Sequence, residues 1–421
     1  MRFKPLLATS AFLFLAGRAW PGQPGLDAAA LPADGMSWFI DRARDLDVPP
    51  VATAEPASLL LSIEQAQAKL ADESVDRSRK GGLDLALAVL DGSGSLHVLH
   101  ADKTNAGLRV SSNGGFSGEL RLRQANGINS DFACEAAGGC RVLALKYPLA
   151  NGRSLVYTPY SPELALPEVT AAGLKVLRDF ISEAYGRLRE RGVQSLSYPD
   201  HDPACAPRCL AADVVPSSIS AVLVMDEHVD PSEFTSPDKA RELVREPLVL
   251  LAANRERAWT LAVSKAGAHG MMQFMPATYR ALVRAYPSAG LIPDFEAGTA
   301  DPVNAIMAQV LLCDMNWGAL RRSGAEIPDS EIGPYLAAAY NGGTVRVLAI
   351  LKDPQDMAWM QDPDPDQAPT QTVVRTVRRK GGRKPRQVRS VHGVLAAETV
   401  RYVAQFDWIR DYWFSYLEKN P

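Results

Sequence analysis

Residues 262–278 read Ala-Val-Ser-Lys-Ala-Gly-Ala-His-Gly-Met-Met-Gln-Phe-Met-Pro-Ala-Thr, a run that packs small residues, one amide and a proline into a single loop-to-helix joint. Gly267, Ala268 and Gly270 take away the side chains that would keep an extended polymer from main-chain donors and acceptors. Met271 and Met272 offer soft apolar filling, and Gln273 carries donor and acceptor on one carboxamide. Pro276 suits the first turn of a helix that Thr278 continues. Such a stretch serves either as the floor of a groove or as a tight packing joint. A second block, Tyr340-Asn341-Gly342-Gly343, follows the apolar run 335–339 and stops it with paired glycines, as a helix ending against a cleft would. Its tyrosine reads either as a cleft group or as a core residue near a helix end.

Together the two blocks resemble the signature segments of the soluble lytic transglycosylases, lysozyme-fold enzymes that cut the glycan strands of bacterial peptidoglycan. The resemblance implies that Ser264, Gly270, Gln273, Thr278 and Asn341 lie in the sugar subsites with Met275 beneath them, and that the Tyr340 hydroxyl bonds the catalytic carboxyl. Two weaker echoes follow in the family's order. Asp301-Pro-Val-Asn-Ala-Ile306 resembles the opening of the helix after the cleft, and Glu398-Thr-Val-Arg-Tyr402-Val403 resembles the closing motif, which adds Glu398 and Tyr402 to the substrate-binding set. The resemblance covers residues 216–415, roughly half the chain.

The implied chemistry needs one carboxylic acid that stays protonated near neutral pH, gives its proton to a glycosidic oxygen and then acts as base. Two glutamates compete for that role. Glu256, in Asn254-Arg-Glu-Arg-Ala-Trp259, precedes Ser264 by about the family's spacing, but Arg255 and Arg257 flank it, and neighbouring cations lower a carboxyl pKa. Glu227 ends the apolar run 219–225, a helix expected to be capped by Ser217 or Ser218 after Pro216, and Asp226 beside it is a like charge that would raise its pKa. Its longer distance to Gln273 is similar to that in membrane-bound transglycosylases of the B type, where a helix intervenes between acid and loop. Residues 236–257 read as that helix, with Ser236 as cap and Pro237 in the first turn. Glu227 is the preferred acid and Glu256 the alternative.

A retaining hydrolase adds a second carboxylate a few ångströms away, for which Asp230, Glu233 and Asp238 are candidates, whereas a lytic transglycosylase closes the sugar's own 6-hydroxyl onto C1. The resemblance favours the second route, with a 1,6-anhydromuramic product and no cofactor. A wall-binding or scaffold protein that has lost the acid, and a lysozyme-type hydrolase, remain the other readings. Trp259 is a candidate for stacking on a sugar, while Trp317, Trp408 and Trp413 stand where core packing is the default.

The amino terminus suits export to the periplasm or beyond: a positive start at 1–4, a short apolar core and Gly17-Arg-Ala19 read as a signal peptide over 1–19. Five cysteines agree with an oxidising compartment, Cys134 being near Cys140 and Cys205 near Cys209, with Cys313 alone in an apolar helix. His201 with Cys205 and Cys209 lacks a fourth ligand, so no metal site is expected.

The expected fold class is α+β. A loosely ordered lead-in at 20–55 precedes a mixed α/β domain of unknown role at 56–205, followed by a mostly helical lysozyme-like domain at 210–421. Strands are expected at 83–90, 95–101, 119–123, 142–147 and 154–157, with helices at 62–75 and 167–191. His97 and His100 fall on opposite strand faces, which suits solvated or satisfied histidines better than metal ligands. Asp362, Asp364 and Asp366 precede a stretch, 370–390, that holds eight Lys or Arg and no acid and reads as a basic β-ribbon, either a lid that attracts anionic wall polymers or a solvated loop. The net charge of −3 in 421 residues says nothing about nucleic acid, and no nucleic-acid motif appears, so none is expected as a partner. Glycan strands are the expected partner, proteins of the wall machinery are compatible, and oligomeric state is open.

Overall fold

The computed structural model describes residues 56–77, 82–104, 107–198, 209–229, 237–324, 326–328, 331–352, 354–361, 363, 370–377 and 386–419. The segments 1–19 and 20–55, His201, Cys205, Asp230, Glu233, Ser236 and Asp362, Asp364 and Asp366 lie outside the described residues, as does the side chain of Asp238.

The chain is α+β: a sheet-containing amino-terminal region precedes a mainly helical one. Helix α1 (Pro56–Leu70) is followed by β1 (Leu83–Asp91), β2 (Leu96–Thr104), β3 (Gly107–Ser112), β4 (Glu119–Gln124), β5 (Asp131–Glu135), β6 (Cys140–Pro148) and β7 (Ser154–Tyr157). Five of these form one antiparallel sheet in the order β3-β2-β1-β6-β7, and β4 pairs with β5 as a separate hairpin. Alternation along β1 sorts its side chains. Leu85, Leu87 and Val89 pack with Leu120 and Phe132 of the hairpin, whereas Ala86 and Ala88 face Ile63, Ala66 and Leu70 of α1, where small residues let a helix approach. A bulge in the β1–β6 pairing, between Ala88 and Val89, puts Leu143 and Ala144 together on the helix side. Strands β3 and β5 were not expected from the sequence: both are short, and β3 has no buried residue.

His97 bonds Asp91 at 2.8 Å and His100 bonds Glu73 at 3.0 Å, so both are satisfied. Cys134 and Cys140 form a disulfide, Cys209 is disulfide-bonded, and Cys313 is a buried free thiol.

Helix α2 (Pro167–Glu190) leads to the short α3 (Ala211–Val214), α4 (Ser217–Asp226), α5 (Pro237–Leu243) and α6 (Arg245–Asn254). The expected single helix over 236–257 is broken at Val244 and ends at Asn254, after which residues 255–257 form a 3-10 turn. Helix α4 starts at Ser217 behind Pro216 with no side-chain cap, so the serine cap expected there is absent. Then come α7 (Pro276–Ala285), α8 (Phe295–Ala300), α9 (Pro302–Arg321), α10 (Ile332–Gly342), α11 (Thr344–Ile350), α12 (Pro354–Gln361), the hairpin β8 (Thr370–Val377) and β9 (Arg386–Gly393), and α13 (Ala397–Lys419). Asp294 and Asp301 cap α8 and α9 through backbone N–H groups at 2.8 Å, and Pro302 occupies the first turn of α9. The basic stretch is thus a paired ribbon, while its tip at 378–385 lies outside the described residues.

The two regions share cores. Val249 and Ala253 of α6 pack with α1 and the sheet, while Leu177, Phe180 and Tyr185 of α2 pack among the carboxy-terminal helices. Polar bonds reinforce this seam. Buried Asn254 accepts from the Thr158 N–H at 2.8 Å and donates to the Thr158 carbonyl at 2.9 Å, and Arg257 donates to Gln67 at 2.6 Å. Helices α2 and α6 touch closely at Gly173, where an added Cβ would lie 1.9 Å from the Leu248 carbonyl oxygen.

That contact yields a paired expectation within one helix. Gly173→Ala should cost about 1–3 kcal/mol by overpacking, whereas Gly186→Ala, whose Cβ meets nothing within 4 Å, should gain about 0.5–1 kcal/mol through helix entropy. Urea unfolding measures both, and effects of the same sign would contradict the packing described.

Candidate active site

Apart from Ser220, which bonds the Tyr185 hydroxyl, helix α4 is apolar from Ile219 to Met225 and buried on every side, so its last turn delivers Asp226 and Glu227 into the protein rather than to bulk water. Its end is held from α13. Gln405, itself buried, donates to the Val229 carbonyl at 3.2 Å and the Asp226 carbonyl at 3.4 Å, satisfying acceptors that a helix terminus leaves unpaired. Glu227 remains half-buried and lines a cavity of about 640 Å³. The Tyr402 hydroxyl donates to Glu227 Oε1 at 2.7 Å.

Burial pushes the Glu227 carboxyl up to about 7, the charge of Glu398 adds to the rise, and the Tyr402 bond pulls the other way. Burial wins that contest. Asp226 is deeper still: it is 2% exposed, neither carboxyl oxygen has a hydrogen-bond partner, and burial followed by the Glu227 charge raises its pKa well above the usual range. Burial thus favours its neutral form, and the like charge that raises Glu227 comes from Glu398 rather than from Asp226. His228 stacks on Trp259 with ring centroids 3.8 Å apart, and its Nε2–H donates to the Met271 carbonyl at 2.7 Å. Burial lowers its pKa to about 3, so the imidazole beside the acid is neutral.

Glu256 sits elsewhere. Its side chain is 65% exposed in the 3-10 turn, 4.0 Å from Arg255, and it does not line the cavity. Tyr340 lies near Glu227, but its hydroxyl donates to the Met272 carbonyl at 2.7 Å and so ties α10 to the cleft loop; the tyrosine on the carboxyl is Tyr402. Glu398 and Tyr402 stand one turn apart on α13, which is why one charges and the other bonds the same acid.

The loop 262–275 is pinned by its own backbone. Ser264 accepts from the Ala268 N–H through its hydroxyl at 3.0 Å, and the Gln273 amide donates to the Gly270 carbonyl at 2.8 Å. Ser264 and Gln273 line the cavity, as does Trp259, whereas Gly270, Met275, Thr278, Asn341, Glu398 and Tyr402 are not part of its wall. Gly270 owes its missing side chain to packing, since a Cβ there would lie 2.0 Å from the Thr299 carbonyl oxygen at a φ of +74°. Asn341 accepts from the Thr399 hydroxyl at 2.7 Å, joining α10 to α13, and Met275 is exposed. Trp317 is buried and Trp408 packs against the same core, as their helical settings implied.

Three non-glycine residues among those described have positive φ, and all lie between 255 and 273: Arg255, Trp259 and Gln273. Backbone strain of that kind gathers where side chains must be aimed, and two of the three line the cavity. Sequence reasoning missed His228 and Gln405, although an aromatic next to a candidate acid was a usable signal for the first. It also missed the wall supplied by Asn126, Gly127, Ile128, Asn129, Leu155 and Tyr157, for which spacing along the chain carries no signal.

The raised acid has a thermodynamic signature. A carboxyl whose folded pKa exceeds its unfolded value stabilises the fold fully below the unfolded pKa, and that contribution is lost as pH rises through the folded one. For Glu227 the window runs from the ordinary 4.5 to about 7. Glu227→Gln should therefore stabilise the protein at pH 8 by up to about 3 kcal/mol relative to wild type, with no comparable gain at pH 4. Denaturant midpoints at the two pH values measure this, and an equal effect at both would contradict a half-dry acid.

Residues 238–358 match the family model described as the transglycosylase SLT domain. The matched segment takes in α6, the cleft loop and α10, begins after Glu227 and includes Glu256. No curated protein and no solved structure gives a match. On the cleft loop, the tyrosine helix and this match, residues 238–358 are similar to the transglycosylase SLT domain.

Proposed function

We propose that this protein is a peptidoglycan lytic transglycosylase acting outside the cytoplasm, with Glu227 as its only acid and base. The observation that carries the reading is a carboxyl raised to about 7 on the wall of a cavity that also presents Ser264 and Gln273 from the family's loop. Near neutral pH such a group is present in both forms, as a group that must give and then take a proton requires. Protonated Glu227 gives its proton to the oxygen of the β-1,4 bond between N-acetylmuramic acid and N-acetylglucosamine as the C1–O bond breaks. The resulting carboxylate then takes the proton of the muramyl 6-hydroxyl as that oxygen bonds C1, leaving a 1,6-anhydro end and the enzyme in its starting protonation state. Tyr402 orients the carboxyl and steadies its charged form, so the developing negative charge has a donor waiting at 2.7 Å.

A hydrolase of the retaining type needs a second carboxylate at the sugar. Glu246 is the other acid on the cavity wall, and it accepts from Asn129 at 3.2 Å. Hydrolysis would leave reducing ends, so the product separates the two chemistries. The exported setting rests on the substrate and on the leader-like residues 1–19; the 370–393 ribbon remains a candidate lid for anionic wall polymers.

Digesting purified sacculi and identifying muropeptides by mass tests the reading. Wild type should release 1,6-anhydro ends, Glu227→Gln should lose about 10²–10⁴-fold in rate, and Glu256→Gln should retain nearly all activity. Reducing ends would establish hydrolysis, and no products from wild type would establish a binding or scaffold role. Because the acid must be protonated to begin, the rate should fall as pH rises through about 7, and Glu398→Gln, by removing a negative charge, should move that limb to lower pH. A limb that stays in place would show that Glu398 does not act on the acid.

A further inference from the structure

The cavity that holds Glu227 is not built by the SLT segment alone. Its facing wall comes from the amino-terminal sheet region, from the 3-10 turn at Gly127–Asn129 with the preceding Asn126, and from Leu155 and Tyr157 of β7. That turn is held from several sides. The buried Ser130 hydroxyl accepts from the Asn126 N–H at 2.9 Å and donates to the Gly127 carbonyl at 2.8 Å, and Lys103 donates to the same carbonyl at 3.2 Å. Asn129 accepts from the Tyr160 N–H at 2.8 Å and donates across the cavity wall to Glu246 at 3.2 Å, locking the turn to α6. Ile128 packs against both the sheet core and the helical core. The turn is therefore a fixed part of the cleft.

One polar side chain on this wall is uncommitted. Asn129 uses both ends of its amide internally, whereas the carboxamide of Asn126 is exposed at the cavity with its backbone already anchored. A carboxamide offers one acceptor and two donors, and the acetamido group of an N-acetylated sugar offers the matching N–H and carbonyl. The trans acetamido group turns its N–H and carbonyl to opposite sides, so the carboxamide takes one of them; the strand's hydroxyls can serve the same bond, but only an acetamido contact sets an N-acetylated strand apart from other glycans.

We infer that Asn126 is a saccharide-contacting residue that reads an acetamido group of the bound glycan strand, so that the amino-terminal region supplies part of the specificity of the cleft. This rests on the proposed peptidoglycan function and extends it to a residue outside the SLT segment. Asn126 contributes to binding rather than to the chemical step, since it has no bond to Glu227, Tyr402 or Gln405. Its removal should raise KM and leave kcat unchanged within about twofold.

The test uses the full chain bearing Glu227→Gln, so that strands persist, and measures calorimetric binding to stem-free glycan strands, either fully N-acetylated or de-N-acetylated. Adding Asn126→Ala should weaken binding to the N-acetylated strands about tenfold, the loss of one neutral hydrogen bond, and should change binding to the de-N-acetylated strands less than twofold. Gln124→Ala, exposed nearby but absent from the cavity wall, should change neither. Equal loss on both strands, or no loss on either, overturns the inference while the cleft reading stands. A parent that binds neither strand overturns the saccharide reading of the cavity and this inference with it.

Discussion

A carboxyl held between water and protein, touched by one phenol, is the constraint around which the helical region is arranged. Helix α4 is only ten residues long and buried all round, so it can end inside the molecule only if its terminal carbonyls and its two acids are provided for. Gln405 takes the carbonyls, burial drives Asp226 toward its neutral form, and Glu227 is left with the Tyr402 hydroxyl and the cavity. Desolvation of a carboxyl can shift it by several units, whereas a single hydrogen bond to its charged form opposes that by less. The outcome, about 7, is the balance in which neither form is strongly disfavoured near neutrality. Glu398 and Tyr402, which act on the carboxyl, and Gln405, which holds the end of its helix, come from consecutive turns of α13. That closing helix thus sets the charge balance of Glu227 as well as packing against α4.

The amino-terminal region is coupled to this site by shape. Helix α6, which stands between the acid and the cleft loop, contributes Val249 and Ala253 to the core beneath the sheet and Leu248, Leu250 and Leu251 to the helical core. Its end is sewn to β7 through Asn254, whose amide mimics a strand partner for Thr158. Directly after that seam the backbone turns through Arg255 and Trp259 at positive φ, and Trp259 arrives stacked on the histidine beside Glu227. Displacing the sheet would therefore displace the cavity wall on both sides at once.

Much of this was legible in the sequence because it was local. The Leu-Ala alternation of β1 announces a two-sided strand, Pro276 and the paired glycines mark the helix boundaries, and an apolar run ending in Asp-Glu announces an acid at a buried helix end. What escaped depends on contacts distant in the chain. Tyr402 is 175 residues from the carboxyl it bonds, so the family's tyrosine motif drew that role to Tyr340, which instead holds Met272. Likewise Gly270 reads as room for a ligand until Thr299 is found against it, and Asp226 reads as a charge until its burial is known. Small residues and acidic pairs specify tight places; which neighbour occupies the place is decided by tertiary packing.

The most direct measurement is a titration of Glu227 itself, by carbon NMR of protein labelled at the glutamate carboxyl, with Glu227→Gln supplying the assignment. The account predicts a resonance that titrates near 7 and moves upward in Tyr402→Phe, because the bond that favours the carboxylate is gone. A Glu227 resonance that titrates in the ordinary glutamate range, or one indifferent to the loss of the Tyr402 hydroxyl, would contradict it.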